Sequence, residues 1–243
     1  MNLFKVSPAS QREDIVRQSL EFNSTEEVNH FCATCITGNP NFKSLELLYF
    51  PLSQAQLSTI IATLEKAKTV TSLICWTNKL GSQGALALAQ LVMKRNDIRT
   101  LTLANNELTT ESIAQIATAL NNSSLTELKL NDNLLGDNAI LHIIKIILQN
   151  PKLEILKLGN NCFSKAGVLA LIQSMNNHPA LKNVDLSVQN IQFDDFDDNN
   201  IKAINDAIQS TNNRLSLTFS YAGAGYDFKD ILTLREQLAG MRI

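Results

Sequence analysis

The stretch Ile98–Leu108 reads IRTLTLANNEL and combines a short alternating pattern with an amide-rich turn. Leu101 and Leu103 alternate with polar threonines, which is the period of a strand that buries one face. The pattern ends at Asn106, whose amide side chain can bond loop backbone. Beyond it the apolar residues change to helical spacing, as a stripe formed by Ile113, Ile116, Ala117 and Leu120. The stretch therefore predicts a strand, a turn and then a helix.

The same unit recurs at a nearly constant interval. Its first apolar residue falls at Phe42, Val70, Ile98, Leu125, Leu153 and Leu181, in steps of 28, 28, 27, 28 and 28. The predicted buried pairs are Leu45/Leu47, Leu73/Cys75, Leu101/Leu103, Leu128/Leu130, Leu156/Leu158 and Val184/Leu186. The asparagine recurs at Asn78, Asn106, Asn133 and Asn161, whereas the first and sixth copies carry Phe50 and Gln189. One such unit cannot bury its apolar face alone, so the copies are expected to stack as a solenoid.

The pattern L-x-x-L-x-L-x-x-N-x-L followed by a helix resembles a leucine-rich repeat of the ribonuclease-inhibitor-like class, over roughly residues 20 to 222. The resemblance implies an α/β fold, a curved horseshoe with a parallel β-sheet on the concave side and α-helices on the convex side. Geometry agrees, since strands lie about 4.8 Å apart and helices about 8–10 Å apart, so the stack must bend. We expect a single domain over 1–243, with an N-terminal cap unit (1–41), seven repeats of about 28 residues (42–222) and a C-terminal capping helix (223–243).

The ends of the chain depart from the repeat. The predicted N-terminal elements are a helix from Ser7-Pro8 to about Arg17, a strand through Leu20 and Phe22, and a helix opened by the capping box of Ser24 and Glu27 and ended at Gly38. The predicted C-terminal elements are a strand with the buried pair Leu215/Leu217 one period of 31 after the sixth copy, a loop at Tyr221–Gly225 and a helix from Asp227 to Ala239.

Two motifs have both a chemical and a structural interpretation. Cys32 and Cys35 could form half a zinc site or a redox pair with His30, but no second CxxC or HxxxH follows and both lie on a predicted buried stripe, which favours small core residues. The aspartates of 193–198 could bind calcium or dock a partner. Their spacing does not fit an EF-hand, which favours a solvated loop whose last aspartate caps the next helix.

Composition excludes several function classes. A formal net charge of −2 gives no general attraction to nucleic acid, and no apolar run is long enough to cross a membrane. No secretory signal precedes the repeats, and the cysteines read as free thiols, so we expect a reducing, cytoplasmic location. His30, His142 and His178 fall on separate helices or helix ends, and no glycine-rich phosphate loop occurs. We therefore expect a monomer with no catalytic site, cofactor or metal.

The residues that flank the buried strand pairs are predicted to line the concave face, where a protein partner would bind. The candidate contact residues are Glu46, Leu48, Tyr49, Ile74, Trp76, Thr100, Thr102, Asn105, Glu127, Lys129, Asp132, Lys157 and Asp185. Trp76, the only tryptophan, is a candidate hot spot together with Tyr49, because aromatic anchors dominate interface energetics. The alternative is that Trp76 folds against the rim and that the charges are ordinary solvated surface.

The resemblance implies a macromolecular partner held in the concave face, as in ribonuclease inhibitor and the sensor domains of innate immune receptors. The function expected from the sequence is therefore a non-catalytic protein-binding module. Two narrower hypotheses stay open. One is a bacterial effector that a specialised system delivers into the cytosol of a eukaryotic host, where it binds a host protein. The other is a GTPase regulator resembling Ran GTPase-activating protein, although the acidic tail of that protein has no counterpart here.

Overall fold

Strands and helices alternate along the chain. A computed structural model describes residues 15–18, 21–187, 189, 198–210, 215–221 and 224–227. The strands are β1 (Ile15–Gln18), β2 (Ser44–Leu48), β3 (Ser72–Trp76), β4 (Thr100–Thr102), β5 (Glu127–Lys129), β6 (Ile155–Lys157), β7 (Asn183–Asp185), β8 (Ser216–Tyr221) and β9 (Ala224–Asp227). The α-helices are α1 (Thr25–Phe31), α2 (Gln54–Leu64), α3 (Gly81–Lys94), α4 (Thr110–Ala119), α5 (Ile140–Gln149), α6 (Lys165–Ser174) and α7 (Asp198–Ser210). A π-helix (Cys32–Thr37) continues α1, and a 3-10 turn (Asp137–Ala139) precedes α5.

The described strands form one open sheet in chain order. β1 to β8 run parallel, each bonded to the next, and β9 pairs antiparallel with β8. The register aligns one buried residue from each repeat in a row: Leu45, Leu73, Leu101, Leu128, Leu156, Val184 and Leu217. The predicted fold class is confirmed: the chain is a curved α/β solenoid with the parallel sheet on the concave side and the helices on the convex side.

One continuous hydrophobic core lies between the sheet and the helices. The strand pairs predicted from the sequence are buried throughout, and so are Ile113 and Ile116 of the α4 stripe. At the N-terminal end, Phe31 and Cys32 join the same core and half-buried Cys35 packs against it, as the stripe predicted. The CxxC pair therefore lies where small core residues were expected.

The repeating asparagine forms a buried ladder that joins successive repeats. Asn106 is representative, since its Oδ1 accepts from the Asn78 backbone N–H at 3.0 Å and its Nδ2 donates to the backbone oxygen of Cys75 at 2.8 Å. The same exchange is made by Asn133, Asn161 and Gln189. Gln189 makes it with a longer side chain, so the departure from asparagine in the sixth copy preserves the ladder. Side-chain amides thereby join neighbouring turns along the solenoid.

A second row of buried polar side chains crosses the repeats at the other end of the strands, and the sequence analysis missed it. Its members, spaced by 28, 27 and 28 residues, are Arg95, Ser123, Asn150 and His178. Asn150 Oδ1 accepts from the Ser123 N–H at 2.9 Å. His178 Nε2 lies 3.2 Å from the backbone oxygen of Ile147. These contacts satisfy polar backbone groups at helix ends, and the changing residue type hid the period.

Arg95 is the most extensively bonded member of this row. It donates to the backbone oxygen of Leu64, the last residue of α2, at 2.7 Å, and to that of Ala67, three residues later, at 2.6 Å. Its other N–H groups bond the backbone oxygen of Val70 and both carboxylate oxygens of Asp97. These hydrogen bonds from Arg95 hold the pKa of Asp97 below its usual value. A buried cation is tolerated here because every donor has a partner.

The N-terminal prediction was wrong about the first strand. β1 is Ile15–Gln18, whereas a helix was predicted to run to about Arg17 and the strand to pass through Leu20 and Phe22. Val16 and Gln18 lie opposite Leu45 and Leu47, so a buried glutamine occupies the second inward position and concealed the leucine pattern. Residues 7–14 and 19–20 of these predictions lie outside the described residues.

Phe22 instead lies at the turn, 28 residues before Phe50. The centroids of the two rings are 5.6 Å apart, and the ring planes meet at 87°, an edge-to-face contact. Both phenylalanines are buried and stand where later repeats carry the ladder asparagine. An aromatic contact therefore links the first two turns, and the Asn78 amide also donates to the Phe50 backbone oxygen at 2.8 Å.

Two C-terminal predictions were also wrong. β8 pairs with β7 so that Leu217 lies opposite Val184, which makes the interval 33 residues where 31 was expected. Tyr221–Gly225, predicted as a loop because of its small residues, belongs largely to the antiparallel β8–β9 pair. Asp227 ends β9, and the rest of the capping helix predicted to Ala239 lies outside the described residues, as do the aspartates at 194, 195 and 197.

Candidate protein-interaction surface

The register sorts the thirteen candidate residues into rows on the concave face. One row crosses the middle of the strands: Arg17, Glu46, Ile74, Thr102, Lys129, Lys157 and Asp185. Thr100 and Glu127 lie two residues earlier, and Leu48 and Trp76 two residues later. Tyr49, Asn105 and Asp132 follow at the carboxyl ends of the strands, which we call the rim positions. Every candidate thus lies on a concave-side row or at its rim.

Two of the thirteen candidates are not accessible. Glu46 is buried and ion-paired with Arg17 at 2.6 Å, so the neighbouring β1 covers it. Thr102 is only 4% exposed, and it lies between Ile74 of β3 and Lys129 of β5 in its row. Their positions were predicted correctly and their exposure was not, because the sequence does not show how closely adjacent side chains cover a strand.

An aromatic patch lies on this side, defined by Leu48, Tyr49, Ile74 and Trp76. Tyr49 is 62% exposed and Trp76 is 42% exposed, and their ring centroids are 5.9 Å apart. Leu48 and Ile74 are half-buried, and Leu48 lies opposite Trp76 in the register. Trp76 does not fold into the core, so the patch presents a large aromatic surface to solvent, as the hot-spot interpretation requires.

The rim positions have an unusual backbone. Each has a positive φ, and each N–H bonds a backbone oxygen of the next repeat; they are Tyr49 (66°), Thr77 (57°), Asn105 (52°), Asp132 (60°) and Asn160 (53°). Asparagine and aspartate tolerate this left-handed conformation, whereas aromatic and β-branched residues are strained in it by about 1–2 kcal/mol. Tyr49 and Thr77 therefore depart from the residue type that suits their position.

The two strained rim residues differ in what their side chains do. Thr77 Oγ1 accepts a hydrogen bond from Asn105 Nδ2 at 3.0 Å, so its side chain has a role inside the solenoid. The Tyr49 ring lies mostly in solvent against Trp76. Little of the strain at Tyr49 is offset by burial, and strain of this kind clusters where a residue has a functional role.

Three of the six charged candidates, Glu46, Glu127 and Lys129, are ion-paired within the chain. Lys129 pairs with Glu127 at 2.8 Å, and Thr100 donates to the same glutamate at 3.2 Å. Lys157 donates to Asn183 at 2.7 Å and lies opposite Asp185 in the register. The central strands thus carry alternating charges without a net field of one sign.

Metal clusters and membrane-spanning helices are absent from the described residues, and two of the buried thiols are unreactive in character. Among them, no three His, Cys, Asp or Glu side chains lie close enough together to hold a metal ion. Burial raises the pKa of the Cys75 thiol to about 12, and it also raises the pKa of Cys32, so neither has the character of a reactive thiolate. No helix in the described part is long and apolar enough to cross a membrane.

Comparison with known proteins gives one match. A family model described as Leucine Rich repeat matches residues 149–171, which run from the end of α5 through β6 into α6. No curated protein matches the chain. The matched segment is a single repeat, and the register places equivalent strands on both sides of it along the solenoid. The match and the fold together support a leucine-rich-repeat protein.

Proposed function

We propose that this leucine-rich-repeat protein is a non-catalytic module that binds another protein through its concave face, with the aromatic patch as the energetic centre. The observation that carries the proposal is Tyr49, whose strained backbone holds a largely exposed ring beside Trp76. Asparagine fits the same position in two later repeats, so a tyrosine there is better explained by a contact outside the chain than by the fold.

The geometry of the patch suits an interface anchor. Tyrosine and tryptophan are enriched among residues that dominate binding energy, and they present large rigid surfaces with few rotatable bonds. Half-buried Leu48, opposite Trp76 in the register, and Ile74, two residues before Trp76, add apolar surface to the same face. Polar rim residues such as Asn105 adjoin the patch, which gives it the apolar centre and polar surround of an interface.

The test is a selection from random nonapeptides displayed on phage, performed on the full chain and on Trp76→Ala. We expect peptides enriched on the wild type to lose at least tenfold in affinity for Trp76→Ala, since an anchor residue contributes about 2 kcal/mol or more. Trp76 is the only tryptophan in the chain, so a blue shift of its fluorescence on binding reports burial of the patch itself.

The matched control is Met93→Ala on the convex side of the solenoid. Met93 in α3 is 38% exposed, close to the value for Trp76, so the control removes a comparable exposed apolar side chain from the other face. Wild-type affinity is expected for this variant. Equal binding by the wild type and Trp76→Ala, or no enrichment on the wild type, would overturn the proposal.

A further inference from the structure

We infer that the partner presents an extended basic segment, with an apolar side chain against Tyr49 of the aromatic patch and a lysine or arginine on the Asp132 carboxylate. This deepens the proposed function and rests on it. Two observations support it: the carboxylate of Asp132 at the rim, which is in no described salt bridge, and its distance from Tyr49.

Asp132 is the one charged residue among the five rim positions, and its neighbours there, Asn105 and Asn160, are uncharged. It is half-buried at the end of β5 and takes part in none of the described salt bridges. Its Oδ1 accepts from Asn160 Nδ2 at 2.8 Å, an uncharged donor that leaves the negative charge in place. A partly desolvated carboxylate of this kind favours a cation from a partner.

The other charges of the concave rows are equal in number for the two signs, and two of the three opposite pairs are ion-paired. Arg17 pairs with Glu46 and Lys129 with Glu127. Lys157 faces Asp185 across neighbouring strands. With Asp132 included, the net charge of these residues is −1, and the net charge of the whole chain is −2. A basic partner complements a negative charge on this face.

The spacing indicates the conformation of the partner. Tyr49 and Asp132 occupy the same rim position on β2 and β5, three strands apart, which is about 14 Å at the usual spacing of 4.8 Å. In an extended chain, residues i and i+4 point to the same side and are separated by about 13 Å, so they match this distance. A helix would need about nine residues to span 14 Å, and nine steps of 100° place the second side chain on the opposite face.

The test repeats the nonapeptide selection on wild type and on Asp132→Asn. Asparagine occupies the same rim position at Asn105 and Asn160 and keeps an oxygen for the Asn160 amide, so this variant removes the charge without disturbing the turn. We expect wild-type binders to carry a lysine or arginine four residues from an apolar residue. On Asp132→Asn the basic preference should disappear and the apolar preference should remain.

A synthetic binder and its Lys→Gln analogue then give the magnitude. The wild type should prefer the lysine peptide about fivefold, as expected for one partly exposed ion pair, and Asp132→Asn should not distinguish the two. Glu111→Gln, which removes a carboxylate from the exposed start of α4, should retain the wild-type preference.

The outcomes separate the two proposals. Three results would overturn the proposal of a basic segment. They are binders that are acidic or uncharged, a spacing other than four residues between the basic and the apolar residue, and a basic preference that survives Asp132→Asn. If those same binders still depend on Trp76, the patch keeps its proposed role. Loss of the Trp76 dependence would overturn the proposed function as well.

Discussion

Single residues on the rim show where the chain departs from what its fold favours. The later rim positions carry Asn105, Asp132 and Asn160, and the backbone there requires a positive φ. Tyr49 and Thr77 meet the same requirement at a cost of about 1–2 kcal/mol each. Thr77 recovers part of that cost through its bond to Asn105, whereas Tyr49 recovers part of it through its ring contact with Trp76, another residue of the candidate interface. The two positions therefore separate strain from function.

Replacing each strained rim residue by asparagine should therefore have different consequences. Thr77→Asn relieves the strain, and its new amide oxygen can still accept from Asn105, so we expect a gain of about 1 kcal/mol in the free energy of unfolding with peptide binding unchanged. Tyr49→Asn also relieves strain but loses its contact with Trp76, a contribution of similar size, so its stability should stay within about 1 kcal/mol of wild type while binding is lost. Urea denaturation and the fluorescence titration measure the two effects.

The comparison of the two variants decides whether Tyr49 is functional. A loss of more than about 2 kcal/mol on Tyr49→Asn would mean that the ring stabilises the fold and that its exposure has another origin. Retained peptide binding in the same variant would remove Tyr49 from the interface.

At the scale of secondary-structure elements, the turn that follows each strand depends on one buried amide. Asn106 accepts from the backbone of the preceding repeat and donates to two backbone oxygens, so one side chain satisfies groups from two repeats. Buried backbone groups without partners are strongly destabilising. The ladder therefore couples neighbouring turns as well as shaping each one.

Asn106→Leu should destabilise the protein by about 2–4 kcal/mol, because an apolar side chain of similar size leaves the Asn78 N–H without its acceptor. The midpoint of urea denaturation measures the loss. Asn29→Leu, at an exposed position in α1, should change stability by no more than about 0.5 kcal/mol. A similarly small effect of Asn106→Leu would show that the turns hold without the ladder.

The sequence predicted the elements well where one residue type repeats in one role. Leucine pairs and ladder asparagines recur at 27 or 28 residues, so the register from β2 to β7 followed directly. The prediction failed where a different residue performs the same role, as with Gln18 in the core of β1. It also failed at β8, where Leu215 was expected opposite Val184 and the register places Leu217 there.

The site was predictable in position and only partly in exposure. Alternation placed Trp76 on the concave side and Tyr49 was predicted there as a residue flanking its strand, and both are exposed. The burial of Glu46 depends on Arg17, from a strand that the sequence did not predict. The strain at Tyr49 depends on a backbone conformation that becomes apparent only when the five rim positions are compared in three dimensions.

At the scale of the whole molecule, one hydrophobic core and two buried polar rows cross the repeats. In a solenoid each repeat contacts mainly its neighbours, so cooperative unfolding depends on the strength of these contacts between repeats. The ladder bonds and Arg95 act between repeats, which favours a single unfolding unit over separate fraying of the N-terminal repeats.

The reactivity of Cys75 should measure this cooperativity. Cys75 is buried in β3, and burial raises its pKa to about 12, so a thiol-alkylating reagent should reach its thiolate only when the N-terminal repeats open. In a background where Cys32, Cys35 and Cys162 are replaced by serine or alanine, we expect the protection of Cys75 to equal the global free energy of unfolding within about 1 kcal/mol. The slope of this protection against urea concentration should equal the slope for global unfolding.

Exposed Cys162, retained alone in a second variant, should react with the reagent whether or not the solenoid opens. Protection of Cys75 well below the global value, with a shallow urea dependence, would mean that the repeats bearing the aromatic patch open independently of the rest.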